Sequence, residues 1–120
     1  MKQNVVQDKS YSFALKAVAA YRRLIETKEF VLSKQMLRAV TSVGANVEEA
    51  LAGQSRADFL SKISVAHKEA RETTYWLRLL RDSKLMDHSL AEDMLREGNE
   101  LLRILTSIVK TTREGKRVGE

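Results

Sequence analysis

Phe59, Ile63, Ala66, Ala70, Thr73, Leu77 and Leu80 follow one another in alternating steps of four and three. Only a helix brings such positions onto one face, and the 3.5-residue average is the seam of a coiled coil or helical bundle. The seam predicts a helix over about Arg56–Arg81, opened by Ser55 and Asp58 in the manner of a capping box. A helix this long with one apolar stripe needs partners of similar length, and the chain is free to supply them. It contains no proline and only five glycines, so nothing interrupts long helical runs.

Three further helices are read from the same kind of spacing. Ala14, Ala17, Val18, Tyr21, Leu24 and Ile25 predict one over about Ser10–Thr27. A second is expected over Lys34–Ala52, with Ser33 as N-cap and Gly53 as the left-handed residue that ends it. The stretch DSKLMDH reads as a loop, and Ser89 with Glu92 forms an S-x-x-E capping box. Leu90, Met94, Leu101, Leu105 and Ile108 then carry a fourth helix to about Thr111. The fold expected is all-α, an antiparallel up-down-up-down four-helix bundle over residues 1–112. Residues 113–120 are too poor in apolar side chains to pack and are expected to form a mobile basic tail.

At 120 residues this is one domain, and it has no cysteine to staple it. No apolar run approaches the roughly 20 residues that span a bilayer, and the first ten residues lack the apolar core of a signal peptide. A cytoplasmic location without membrane attachment is the resulting expectation.

The second helix carries an unusual pair of faces. Met36, Val40, Val43, Val47 and Leu51 make its core side, and Gln35, Arg38, Ser42, Asn46 and Glu49 form a polar row opposite. Ala39, Ala45, Ala50 and Ala52 border that row, where a solvated helix would carry several lysines and glutamates. Small flanks let another backbone approach, so a polar row so flanked is a candidate for burial. On the third helix Glu69 and Glu72 share a second face with Val65, Trp76 and Leu79. Glu72 there calls for an arginine or amide partner, and Arg38 and Asn46 are the candidates. Arg38, Ser42, Asn46, Glu49 and Glu72 are therefore expected to form a structural polar network.

These residues also carry a resemblance. Gln35, Arg38, Ala39, Ser42, Val43, Asn46, Val47 and Glu49, followed by Phe59, Ala66 and Glu72, fall on the pattern of a bacterial four-helix-bundle family. That family is known from intervening sequences in 23S ribosomal RNA genes. The chain departs from the pattern at Ala50, where the family usually has glycine, and at Lys68 and Glu69, where it has Gly-Ser. The resemblance implies a homo-oligomeric ring, typically a pentamer. Relatives serve as accessory proteins of diversity-generating retroelements, so a reverse transcriptase and RNA or DNA are the partners it implies. The ribosomal name records gene position.

Motifs for catalysis are missing. A di-metal bundle needs Glu-x-x-His units, and none occurs. His67 and His88 are not at ligand spacing from one another, and there is no phosphate-binding glycine loop or nucleophile elbow. The reading is a non-enzyme with no catalytic residues, cofactor or metal. The net charge of +5 favours acidic partners. Lys68, Arg71 and Arg78 on the outer side of the third helix, then Lys110, Arg113, Lys116 and Arg117, are the candidate nucleic-acid contacts, with Tyr75 beside them. The competing reading is a protein-interaction scaffold whose charge serves solubility alone.

Overall fold

The structure is a computed structural model that describes residues 2–115, with side chains from residue 5 onward. Four helices follow in order: α1 Lys2–Glu26, α2 Leu32–Leu51, α3 Arg56–Asp82 and α4 His88–Arg113. No strand occurs among the described residues. Each helix packs on its neighbours in sequence, and α1 meets α4 more sparsely to close the bundle, while the backbones of the diagonal pairs stay farther apart. Cross-helix contacts run in opposite senses: Gln7 bonds Glu48, and three residues later Ser10 faces Gly44. Likewise His67 meets Thr106 while Arg81 meets Glu92. The result is an antiparallel up-down-up-down bundle about 46 × 21 × 19 Å in extent.

The α3 seam is the spine of the core. Ile63, Ala66, Ala70, Leu77 and Leu80 are buried, and Thr73 joins them by donating its hydroxyl to the Glu69 carbonyl at 2.8 Å. Met36, Val40, Val43 and Val47 answer from α2, and Met94, Leu101, Leu105 and Ile108 from α4. Leu51, expected in this core, is half-buried, and Ala50 takes the inward position.

The first helix differs most from its sequence reading. It starts about two turns earlier than Ser10, and its core face is Val6, Ser10, Phe13, Ala17, Ala20 and Leu24. Val18, placed on that face by spacing, is exposed instead. The polar Ser10 hid the seam, yet it belongs there because α2 comes close. A Cβ on Gly44 would lie 3.6 Å from the Ser10 carbonyl oxygen. The Ser10 hydroxyl is satisfied by donating to the Gln7 carbonyl at 3.1 Å.

Helix ends are where side-chain chemistry was misassigned. Ser33 is not the α2 cap; it is buried inside the helix and donates to the Glu29 carbonyl at 2.7 Å. The Glu29 carboxylate caps instead, accepting the N–H groups of Val31, Leu32 and Ser33 at 3.2, 2.9 and 2.7 Å. Burial opposes its charge, but these donors outweigh it and hold the carboxyl below its usual range. Asp87, not Ser89, caps α4, accepting from the Leu90 N–H at 3.0 Å. Both residues suit a cap, and Met86, buried in the core, fixes which one stands at the helix mouth. Ser55 caps α3 by accepting from the Asp58 N–H at 3.1 Å.

Gly53 does not adopt the left-handed conformation. It is small for another reason: a Cβ there would sit 3.1 Å from the Ala50 carbonyl oxygen and 3.3 Å from Asp58 Cβ. The left-handed positions after α1 and α3 are held by Lys28 and Lys84, with φ of 65° and 63°. Of the tail expected over residues 113–120, only the first three residues are described. Arg113 closes α4, Thr112 is buried, and the Gly115 carbonyl accepts from Arg56 at 3.2 Å. Lys116 and Arg117 lie outside the described residues. Among the described residues no helix is long and apolar enough to cross a membrane.

Candidate functional site

The polar row divides into separate parts. Arg38 reaches from α2 across to α3, where it donates through Nη1 to Glu69 Oε2 at 3.1 Å and through Nη2 to Glu72. Its Nε donates to Gln35 Oε1 at 3.3 Å, and Trp76 Nε1 donates to Glu72 Oε1 at 3.1 Å. One guanidinium thus holds two carboxylates that stand one turn apart and would otherwise repel each other. Further along α2, Asn46 Nδ2 donates back to the Ser42 carbonyl at 2.9 Å and to its hydroxyl at 3.1 Å. That pair stays within its own helix.

Glu49, expected in the network, is exposed and takes no part in it. The row also faces outward along the α2/α3 groove rather than into the bundle. The Arg38 side chain is 46% exposed, whereas that of Glu69 is 11% exposed. Glu69 is thus the buried carboxylate of the set. The pattern of alternating apolar and polar residues on α3 had pointed mainly to Glu72.

Cations are distributed unevenly around the bundle. On the α1/α4 side Lys16 bonds Asp93 at 2.8 Å and also Glu97, while Lys9 pairs with Glu100. Hydrogen bonds to Asp93 and Glu97 raise the Lys16 pKa, against the lowering by burial, and the partner Asp93 is held below its usual range by that same lysine. The α3/α4 side is different. Lys68, Arg71, Arg78, Lys110 and Arg113 are exposed and make no ion pair among the described residues. Arg78 shares a shallow groove between the two helices with Arg81, Arg96 and Asn99, and Glu92 is the acidic residue lining it. Tyr75 is exposed and packs edge-on to Trp76, with ring centroids 5.2 Å apart. Halfway along the same seam His67 Nε2 meets Thr106 Oγ1 at 2.9 Å. Among the described residues no group of three or more His, Cys, Asp or Glu is placed to hold a metal ion.

Fold and polar row together define the class: an antiparallel four-helix bundle whose second and third helices are tied by one arginine across two carboxylates. The chain belongs to the 23S rRNA-intervening sequence protein family, whose sequence profile matches residues 2–107. It is similar to a crystal structure of a protein of unknown function from the S23 ribosomal protein family of Bacteroides thetaiotaomicron VPI-5482. The two share 49% sequence identity with a TM-score of 0.89, over 92% of this chain and 100% of that one. No protein with a curated description matches the chain.

Proposed function

We propose that this protein is a non-catalytic bundle that assembles with copies of itself and holds nucleic acid electrostatically on its α3/α4 face. The observation that carries the reading is the segregation of charge. Asp93, Glu97 and Glu100 of α4 pair with lysines of α1, and Arg81 and Arg96 are paired too, whereas Lys68, Arg71, Arg78, Lys110 and Arg113 on the α3/α4 side make no ion pair among the described residues. Unpaired lysines and arginines on rigid helices suit phosphates, which take charge without base reading. Lys116 and Arg117 extend the same charge in sequence. Assembly is supported by an apolar stripe on α1, where Tyr11, Leu15 and Val18 stand exposed at helical spacing. The family resemblance makes a closed pentamer the expected assembly, and a ring would repeat the basic face and add avidity. A reverse transcriptase is the protein partner that the resemblance suggests. The α1 stripe also favours the second reading, a scaffold for one partner protein with no nucleic-acid role.

Fluorescence anisotropy with a labelled single-stranded oligonucleotide at several salt concentrations separates the two. Binding is expected to be salt-steep and indifferent to sequence, with a log–log slope of about −0.7 per phosphate neutralised. Replacing Lys68, Arg71 and Arg78 by glutamine flattens that slope. Absence of binding at low salt, or binding that survives the substitutions, hands the case to the scaffold reading. Light scattering coupled to gel filtration tests assembly, and a monomer at micromolar concentration removes the ring.

A further inference from the structure

The contact between His67 and Thr106 is chemically specific. The Thr106 hydroxyl spends its one proton on the Leu102 carbonyl at 2.7 Å, so it accepts from the imidazole. Neutral His67 is thereby the Nε2–H tautomer, and protonation adds its donor at Nδ1. Two arginines lean toward this level. In a helix each Cα–Cβ bond tilts toward the N-terminus, so long side chains cover the turn before their own. Arg71 stands one turn after His67 on α3, and Arg113 two turns after Thr106 on α4. Because the helices are antiparallel, Arg71 and Arg113 flank the His67–Thr106 level from opposite ends of the seam.

Their field is felt at the imidazole. Burial first, then Arg71 and Arg113, lower the His67 pKa below its ordinary value, and no carboxylate among the described residues offsets them. Lys110 adds a cation one turn after Thr106 on α4. The other helix packed on α3 is α2, and its charged contact, Arg38, is spent on Glu69 and Glu72. A half-buried imidazole that gains an Nδ1–H on protonation, held in place through the Thr106 oxygen, and two guanidiniums with no ion pair among the described residues match the donor set of a tetrahedral oxyanion.

We propose that His67, oriented by Thr106, forms with Arg71 and Arg113 a seat for a phosphate group at the α3/α4 seam, the point at which a nucleic-acid strand on the basic face is gripped. The strand's part in this rests on the function proposed above; the phosphate chemistry stands on the cluster itself. An occupying phosphate cancels the arginine field and accepts from Nδ1–H, so it favours the protonated imidazole.

The chain has two histidines, which makes the site readable in the intact protein by NMR. The pH midpoint of each imidazole is measured alone, with inorganic phosphate at matched ionic strength, and with a single-stranded oligonucleotide lacking a terminal phosphate. The His67 midpoint is expected to rise with both ligands. His88, whose side chain is 75% exposed, is the control and stays put. The double substitution Arg71→Gln, Arg113→Gln, at exposed positions, is expected to abolish the rise and weaken phosphate binding by at least about tenfold with an unchanged melting temperature. If that variant unfolds, Arg71→Lys keeps the charge, loses the planar fork, and is expected to reduce the rise. An unmoved His67, or His67 and His88 rising equally, overturns the seat. Oligonucleotide binding with His67 silent overturns the seat and leaves the basic-face reading intact. Phosphate response without oligonucleotide binding upholds the seat and removes the nucleic-acid reading.

Discussion

At the scale of single residues, the polar row separates into consequences of different size. Arg38→Ala leaves Glu69 largely buried with its cation gone and Glu72 facing it one turn away. A fully buried set would lose about 3–5 kcal/mol. Because Arg38 is nearly half exposed, solvent screens the loss, and about 1–2 kcal/mol is expected by urea unfolding. Glu49→Ala, outside the network, is expected to change stability by less than about 0.5 kcal/mol. Equal effects of the two substitutions would show that the Arg38 contacts contribute nothing. His67 gives a pH dependence whose sign is fixed by its lowered pKa. The folded protein resists protonating it more than the unfolded chain does. Its contribution to stability is present above the ordinary value of 6.5 and is lost as pH falls through the lower folded value. Melting temperature is therefore expected to drop on acidification through this window, and His67→Gln to flatten that drop. The role of Glu69 was half legible: its spacing from Glu72 was plain, but its burial depends on where α2 lies.

At the scale of helices, the ends hold the clearest tests. Lys28 occupies a left-handed conformation that costs a side-chain-bearing residue roughly 1–2 kcal/mol, partly offset by the larger unfolded-state entropy of glycine. Lys28→Gly is thus expected to stabilise the protein by about 0.5–1 kcal/mol in thermal melts. Gly53→Ala runs the other way. Its backbone conformation tolerates alanine, but the new methyl meets the Ala50 carbonyl oxygen, which cannot swing aside as a flexible side chain would. A loss of about 1 kcal/mol is expected from that overpacking. A stabilised Gly53→Ala protein would mean that the turn relaxes freely. The seams of α3 and α4 are legible because apolar residues recur there with single breaks, at Thr73 and Gly98. The start of α1 is hidden because Ser10 and the polar residues before it break the pattern, and only the close approach of Gly44 explains a serine in that seam. The caps were misassigned for a related reason: serine, aspartate and glutamate all suit a helix start, and the choice depends on which neighbour is anchored.

At the scale of the whole molecule, the arrangement of charge matters more than its total. Fourth-helix carboxylates and cations balance at four each, yet α4 contributes Lys110 and Arg113 to the basic side because Asp93, Glu97 and Glu100 turn toward α1. Replacing Lys68 and Arg78 by glutamine removes two charges from that side; replacing Lys9 and Lys16 removes two from the paired one. Net charge changes equally, but only the first pair is expected to lower the salt slope of oligonucleotide binding, by up to about 1.4 units. Equal losses in anisotropy titrations would mean that net charge alone drives binding. The sequence by itself determined the helical class, the number of helices and the inward face of α3, because a proline-free chain with seam spacing has one economical way to bury its apolar side chains. It also named Arg38, beside Asn46, as a candidate partner for Glu72, because a carboxylate between apolar neighbours calls for an arginine or an amide. What the tertiary structure decided is everything that depends on which helix lies beside which. That includes the pairing of Arg38 with both Glu69 and Glu72, the exclusion of Glu49, and the meeting of His67 with Thr106 across 39 residues of chain. Such contacts join positions distant in sequence, and periodicity within one helix carries no information about the rotation of its neighbour.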